Sequence, residues 1–213
     1  MTGAVHVVDY GIGNLYSVAR AIEKVGGEPR LTSDTIEIAN ADRLILPGVG
    51  SFRDGMSGLT AAGLGDAVRT FASSGRPLLG ICLGMQMLAT ESTEYGVHQG
   101  LGILPGRVEA IPSNSPDGQQ NKVPFIGWAS LASSRPSKFS GTILNGLAAD
   151  DSVYLVHSYQ YCPDQPEDLL ATYSYGGMDI AAAVARDNII GCQFHPEKSG
   201  AVGLDIIQRF FRS

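Results

Sequence analysis

The chain has 213 residues, of which 44% are hydrophobic and 17% are charged, and this balance is typical of a globular protein with one sizeable core. We predict a single domain over residues 1–213. The net charge of −6 argues against a nucleic-acid partner, which would require a basic face. No run approaches the roughly 18 apolar residues of a membrane span, and the start lacks the features of a signal peptide, so we expect a cytoplasmic protein without membrane contact.

The three cysteines, Cys82, Cys162 and Cys192, are an odd number without paired spacing. They predict neither a disulfide framework nor a metal site, and we expect no metal. Residues 4–9 predict a strand, which leads into a glycine-containing loop at 10–14 and a helical pattern at 15–25. Tyr16 stands where a dinucleotide fingerprint has its third glycine. We therefore expect no nicotinamide and no other cofactor.

Two further apolar runs, at 43–46 and 77–81, flank a helical pattern at 59–74, and a weaker strand pattern lies at 28–31. This alternation predicts a parallel sheet covered on both faces, with ligands at the carboxyl ends of its strands. The loop after the first run is Pro-Gly-Val-Gly. Its peptide groups can turn their N–H groups outward, as half of an oxyanion hole requires, although a plain turn is the alternative.

The third run ends in Gly-Ile-Cys-Leu-Gly-Met-Gln at 80–86, which is the thiol version of the Gly-x-Ser-x-Gly nucleophile elbow. In an elbow the nucleophile occupies a strained turn between a strand and a helix. Glycines on either side remove the Cβ atoms that would collide there. The helix N-terminus favours the thiolate of Cys82 over the thiol. A buried structural cysteine is the alternative interpretation.

The second half of the chain predicts a more β-rich arrangement. Short strand patterns occupy 107–111, 123–128 and 153–159, and a polar loop at 113–121 is expected to be exposed and mobile. Residues 181–184 and 189–194 predict a hairpin, and an amphipathic helix covers 202–211. We find no internal repeat.

A nucleophilic thiol needs a base, and His195 is the strongest candidate among the four histidines. His6 lies within a strand and His98 lies in a polar loop. Pro196 favours extended backbone at the residue before it, so His195 and Glu197 face the same side and the carboxylate can orient the ring. A Cys–His–acid set supports hydrolysis of peptides, esters or amides, and its substrate stays open at this point.

These motifs together resemble the class I (triad) glutamine amidotransferases. Asp-Tyr-Gly-Ile-Gly-Asn at 9–14, Pro-Gly-Val-Gly at 47–50, His-Ser-Tyr at 157–159 and His-Pro-Glu-Lys-Ser at 195–199 narrow the resemblance to the glutaminase subunits of imidazole glycerol phosphate synthases. The resemblance runs from residue 4 to the C-terminus. It implies a flavodoxin-like α/β fold, with an open and mostly parallel sheet flanked by helices.

The resemblance also implies the chemistry. Cys82 attacks the side-chain amide of L-glutamine to form a γ-glutamyl thioester, while His195 and Glu197 complete the triad. Further roles are implied for three groups of residues. They are an oxyanion hole (Val49, Gly50, Leu83), a site for the glutamine head group (Gln86, Glu94, His157, Ser158, Tyr159) and a partner interface (Asn14, Trp128, Lys198).

The implied partner is a (β/α)8 cyclase subunit that receives the ammonia and makes imidazole glycerol phosphate and an aminoimidazole carboxamide ribotide. One segment departs from the family pattern, since Phe125 and Ala129 stand where polar residues are usual. Two alternatives remain open. One is a related glutaminase that feeds a different synthase, and the other is a cysteine hydrolase that acts alone.

Overall fold

Short apolar runs alternate with amphipathic segments in the first half of the chain. The computed structural model describes residues 4–134 and 139–213. The strands in these ranges are β1 (Ala4–Val8), β2 (Glu28–Thr32), β3 (Leu44–Gly48), β4 (Leu78–Cys82), β5 (Glu91–Ser92), β6 (His98–Gln99), β7 (Gly106–Ala110), β8 (Phe125–Ser130), β9 (Ala132–Ser133), β10 (Ser152–His157), β11 (Tyr159–Pro163), β12 (Leu169–Tyr175), β13 (Met178–Arg186) and β14 (Ile189–Cys192). The helices are α1 (Leu15–Lys24), α2 (Thr35–Asn40), α3 (Phe52–Ala61), α4 (Gly65–Ala72), α5 (Leu83–Met87) and α6 (Gly200–Arg212). Short 3-10 turns cover Pro166–Asp168 and Pro196–Lys198. The described helices include none with the length and apolar character that a membrane crossing needs.

The main sheet has the strand order β2-β1-β3-β4-β14-β13-β12-β9. Neighbours from β2 to β14 are parallel, and neighbours from β14 to β9 are antiparallel. The remaining strands form the pair β10-β8 and the sheet β11-β7-β5-β6. This confirms the predicted α/β architecture, with its open, mostly parallel sheet and β-rich second half.

Alternate residues of the same strand pack on opposite faces of the main sheet. Ile45 belongs to an apolar cluster with Ile22 of α1 and Phe210 of α6, whereas Leu46 belongs to a second cluster with Phe71 of α4. All five side chains are essentially inaccessible to solvent. Burial on both faces is what a parallel sheet requires, and it explains why its strands are nearly continuous apolar runs.

Two predicted elements have different boundaries in the structure. The helix expected at 59–74 is two helices, because Gly63 adopts φ +69° between α3 and α4. The first of them begins earlier than predicted, where the Ser51 hydroxyl caps the N–H of Asp54 at 3.2 Å. The strand expected at 153–159 is β10 followed by β11, which pair with different strands on either side of Ser158.

The sequence patterns did not predict α2, whose N-terminus is capped by the Asp34 carboxylate. In the polar loop at 113–121 most residues are exposed, as expected. Ser115 is the exception, because its hydroxyl is buried and bonds to Asp117 and to the carbonyl of Gln119. The mobility of this loop stays a prediction.

The closest approach of α5 to β3 yields a stability prediction. A Cβ atom on Gly84 would lie 1.8 Å from the carbonyl oxygen of Leu46, whereas a Cβ atom on Gly63 would meet nothing within 4 Å. We expect Gly84→Ala to lower the free energy of unfolding by at least about 3 kcal/mol, because a sheet carbonyl must move. Gly63→Ala, the control, should lose about 1 kcal/mol from its positive φ alone. Denaturant unfolding measures both losses, and equal losses would contradict this account.

Candidate active site

Cys82 lies at the end of β4 with φ 55° and ψ −113°, a strained conformation for a residue with a side chain. The flanking glycines make this turn possible. A Cβ atom on Gly80 would lie 2.8 Å from the backbone of Met85, and one on Gly84 would collide with the carbonyl of Leu46. The Gly-x-Cys-x-Gly spacing therefore reflects two close backbone approaches around one turn. The geometry is that of a nucleophile elbow.

His195 and Glu197 follow β14, the neighbour of β4 in the main sheet. The Nδ1–H group of His195 donates to the Glu197 carboxylate at 2.8 Å, and both side chains are almost completely buried. The other ring nitrogen is thereby left for Cys82, whose interaction with the ring raises the pKa of the imidazole. The backbone of His195 is fixed too, because its N–H donates to Tyr154 O at 2.9 Å and its carbonyl accepts from the Ser199 hydroxyl at 2.7 Å.

The protonation of His195 depends on these partners. Burial alone lowers the pKa of the imidazole, but the hydrogen bonds with Cys82 and Glu197 and the negative charges of both groups outweigh it and raise the pKa to about 9. The second carboxylate oxygen of Glu197 has no hydrogen-bond partner among the described residues. The carboxylate charge is therefore directed mainly at the histidine ring. This arrangement favours an imidazolium beside the sulfur.

The loop after β3 brings the Val49–Gly50 peptide beside the elbow, because Gly48 pairs directly with Cys82 across β3 and β4. Gly48 has no room for a side chain, since a Cβ atom there would lie 2.6 Å from the Tyr10 hydroxyl oxygen. Gly50 has φ +93° and open space around it. Leu83 is the first residue of α5, so its N–H has no partner within the helix. Two backbone N–H groups can thus face a developing oxyanion next to the sulfur.

A cavity of about 340 Å3 opens onto the sulfur of Cys82. It brings together the nucleophile, the histidine, the three oxyanion-hole candidates and the five head-group candidates. Its lining also includes two residues that sequence reasoning did not single out. The lining residues are Val49, Gly50, Cys82, Leu83, Gln86, Glu94, Pro124, Val156, His157, Ser158, Tyr159 and His195. This size and mixture of groups suits a small polar ligand.

Glu94 supplies the negative charge of this cavity. Its side chain is mostly buried, and one carboxylate oxygen accepts the N–H of Phe52 at 2.5 Å, at the N-terminus of α3. Free N–H groups and the helix dipole stabilise a buried carboxylate at such a position. An ionised Glu94 provides a counter-charge for a cationic group in the cavity.

His157 has both ring nitrogens occupied within the protein. Its Nδ1–H donates to Tyr159 O at 2.8 Å, which leaves Nε2 to accept from the Tyr173 hydroxyl at 2.9 Å. Burial lowers the pKa of His157 to about 4, even though the hydrogen bond to Tyr159 opposes the shift. The ring is therefore neutral at neutral pH. It has no free nitrogen for a ligand and holds Tyr159 and Tyr173 in place.

The three interface candidates lie outside the cavity. Asn14 precedes α1 and is half-buried, and Lys198 is exposed in the turn that follows His195. Trp128 is 55% exposed, so the alternative of an ordinary core aromatic is wrong. The unusual residues Phe125 and Ala129 lie on the opposite, inner face of the same strand, β8, where both pack against the core.

Sequence reasoning missed Gln193, which is fully buried and bonds to both Gln86 and Cys82. A signal was present, because Gln193 is a polar residue that stands only two positions before His195. Tyr10 was also missed, although its hydroxyl donates to Pro47 O at 2.9 Å and supports the loop after β3. Pro124 and Val156 carry no chemical signal that would place them at a site.

The comparisons with known proteins agree with this geometry. A family model described as glutamine amidotransferase class-I matches residues 6–213. The chain is 50% identical over 210 residues to imidazole glycerol phosphate synthase subunit HisH 1 of Legionella pneumophila (strain Lens), which covers 98% of this chain and 99% of that protein. It is 49% identical over 205 residues to imidazole glycerol phosphate synthase subunit HisH of Syntrophotalea carbinolica, with coverage of 96% and 97%.

The likeness extends to solved structures. The structure of PurLQS from Thermotoga maritima matches with a TM-score of 0.72 at 21% identity, covering 100% of this chain and 98% of that one. At this identity the match concerns the fold, and it is the fold that carries the elbow and its neighbouring strands. The chain belongs to the class I glutamine amidotransferase family.

Proposed function

We propose that this chain is the glutaminase subunit of an imidazole glycerol phosphate synthase and hydrolyses L-glutamine to glutamate and ammonia. The observation that carries the proposal is the Cys82–His195–Glu197 arrangement, which opens into a cavity closed by the buried carboxylate of Glu94. The identity of about half over nearly the whole length to relatives with that name supports the choice of synthase.

The first half of the reaction forms a thioester. The sulfur of Cys82 attacks the side-chain carbonyl carbon of glutamine while His195 holds the thiol proton. The carbonyl oxygen becomes an oxyanion, which accepts hydrogen bonds from Leu83 N–H and from the Val49–Gly50 peptide. The intermediate collapses when the imidazolium gives its proton to the nitrogen and ammonia leaves. A γ-glutamyl thioester remains on Cys82.

The second half releases glutamate. His195, now neutral, takes a proton from a water molecule, and the resulting hydroxide equivalent attacks the thioester carbonyl. The same two N–H groups stabilise the second oxyanion. When it collapses, the sulfur leaves and the imidazolium is restored beside it. Glu197 keeps the ring in one tautomer through both halves, since it accepts Nδ1–H throughout.

The head group of glutamine carries one positive and one negative charge. The carboxylate of Glu94 pairs with the α-ammonium group, which places the side-chain amide toward Cys82 at the other part of the cavity. Gln86, Ser158 and Tyr159 lie along the wall between these points and bind the remaining polar atoms. A substrate without an α-amino group would leave the buried carboxylate of Glu94 without a cationic partner, which is the basis of selectivity for an amino acid.

The ammonia passes to a (β/α)8 cyclase partner. Ile126 and Trp128 project from the outer face of β8 and are 61% and 55% exposed, a pattern typical of a docking surface. Asn14 and the exposed Lys198 complete the interface in this proposal. The unusual residues Phe125 and Ala129 face inward, so they do not alter this outer surface and give no reason to prefer a different synthase.

Partner binding is expected to act on the oxyanion hole. The Val49–Gly50 peptide must present its N–H toward the intermediate, and Gly50 can change its backbone angles with no neighbour within 4 Å of a Cβ position. A partner that contacts this exposed loop can therefore select the productive orientation at low cost. In this way the partner couples ammonia release to the presence of its own substrate.

Replacing the nucleophile tests the chemistry. We expect Cys82→Ala to lower the rate of glutamate release at least about a thousandfold, because no thioester can form. The assay is run on the chain alone and with a cyclase subunit and its nucleotide ligand. Complex formation should persist, since Cys82 is 8% exposed and contributes little surface. Cys162→Ala is a matched control outside the cavity and should keep the parent rate. Loss of cyclase binding in Cys82→Ala would instead indicate that Cys82 is a structural cysteine.

The pKa of His195 predicts the alkaline limb of the pH–rate profile. The folded-state pKa of His195 is raised from 6.5 to about 9. The stabilisation of the folded protein by the protonated ring is therefore fully present below pH 6.5 and is lost as the pH rises through 9. Above that pH the ring also lacks the proton that ammonia needs, so kcat/KM should fall. Glu197→Gln keeps an acceptor oxygen but removes the charge. The alkaline limb of its pH–rate profile should move to lower pH. An unchanged limb would contradict the assignment of this pKa to His195.

An exposed lysine tests the interface. We expect Lys198→Ala to reduce the partner-stimulated rate by up to about fivefold, which is the upper end of what one exposed ion pair contributes. Lys24→Ala, which removes an exposed lysine from the end of α1, serves as the matched control. Titration of each variant with the cyclase subunit separates weaker binding from weaker stimulation. Equal stimulation of the parent and Lys198→Ala would remove Lys198 from the interface.

A further inference from the structure

Gln193 is a fully buried polar residue to which the mechanism above assigns no role. Its backbone N–H donates to Ala182 O at 2.8 Å and so extends the pairing of β14 with β13. Its side chain lies between two groups of the cavity. The oxygen accepts from Gln86 Nε2 at 2.9 Å, and Nε2 donates to the sulfur of Cys82 at 3.7 Å. A buried amide that is paired at both ends is held in a single orientation.

The direction of these hydrogen bonds follows from one backbone carbonyl. Tyr159 O can only accept, and it lies 3.1 Å from the Gln86 amide, so that end of Gln86 must be the NH2 group. Its second N–H then points to Gln193, which must present oxygen there. The NH2 group of Gln193 is consequently turned to Cys82. The sulfur thus receives an N–H donor in addition to its interaction with the His195 ring.

We propose that Gln193 is a positioning residue that orients the sulfur of Cys82 and links it, through Gln86, to the head-group part of the cavity. This inference rests on the proposed function for its link to glutamine, but its effect on the sulfur is independent of substrate. An amide N–H stabilises an anionic sulfur more than a neutral thiol, because hydrogen bonds to charged acceptors are stronger. Gln193 therefore favours the nucleophilic form and fixes its direction.

One short segment carries both the base and this positioning residue. Gln193 and His195 flank Phe194, which is fully buried in the apolar core. The amide of Gln193 and the ring of His195 both interact with Cys82, while the side chain of Phe194 packs in the core. The same anchored segment therefore brings two groups to the sulfur. A shift of this segment would change both contacts at once.

The test measures the reactivity of Cys82 without glutamine. In Gln193→Met the side chain keeps its length but offers no N–H donor. We expect iodoacetamide to alkylate Cys82 about tenfold more slowly near neutral pH, as followed by mass spectrometry of the Cys82 peptide. The difference should disappear at a pH where the thiol is ionised in both proteins. If the role of Gln193 were purely structural, Gln193→Met would lower the thermal unfolding midpoint but would not show this pH-dependent difference in alkylation.

Two further variants sharpen the result. Gln193→Glu keeps an oxygen for Gln86 but presents no amide N–H to the sulfur, so alkylation should slow while KM for glutamine stays within about threefold of the parent. Gln160→Met is the matched control, because Gln160 is a partly buried glutamine that bonds to Ala181 N–H at 3.4 Å instead. It should alkylate at the parent rate.

The outcomes separate this inference from the proposed function. One outcome is that Gln193→Met is alkylated slowly at Cys82 while the parent protein releases no glutamate, either alone or with the cyclase subunit and its nucleotide ligand. This outcome would support the positioning role and overturn the proposed glutaminase function. Equal alkylation of the parent and Gln193→Met across the pH range would overturn the positioning role, whatever the glutaminase rate. Equal slowing of Cys82 alkylation in Gln160→Met would also overturn it, because the effect would not be specific to Gln193.

Discussion

The contact between the first turn of α5 and the carbonyl oxygen of Leu46 determines where Cys82 can lie. Only a glycine at position 84 lets the helix approach β3 this closely, and only a glycine at position 80 clears the backbone of Met85. The chain can then turn within one residue, which forces Cys82 into its strained conformation. The neighbouring loop is placed by the pairing of the strands, since Gly48 pairs with Cys82 and brings the Val49–Gly50 peptide beside the elbow.

The surroundings give two neighbouring histidines, His157 and His195, different charge states. Both line the same cavity and both are buried, and burial favours the neutral ring in each. At His195 the carboxylate of Glu197 and the sulfur of Cys82 reverse that preference. At His157 a carbonyl and a hydroxyl group supply no negative charge, so the ring stays neutral. The difference between a proton donor and a structural ring therefore lies in the partners.

Sequence reasoning succeeded where the physical constraint is local. The elbow is recognisable because its glycines lie within two residues of Cys82, although Gly84 makes room for the distant carbonyl of Leu46. The pairing of His195 with Glu197 was expected from extended chain, whereas in the structure Glu197 reaches the ring from the 3-10 turn Pro196–Lys198. Gln193 was missed because its contacts are with Gln86 and Cys82, far away in the chain. The break between α3 and α4 depends on a single positive φ, which a helical pattern hides. The choice of glutamine as substrate came from resemblance, since a triad leaves the substrate open.

Residues on the two faces of β8 make different contacts. Its inner residues pack on the core, where the ring of Phe125 lies 4.8 Å from that of Tyr173, the residue that bonds to His157. Its outer residue Trp128 lies 5.9 Å from Tyr154, measured between ring centres. Tyr154 in turn accepts the N–H of His195 and lies 6.5 Å from its ring. A molecule that packs on Trp128 would therefore contact the immediate neighbour of His195 without entering the cavity beside Cys82.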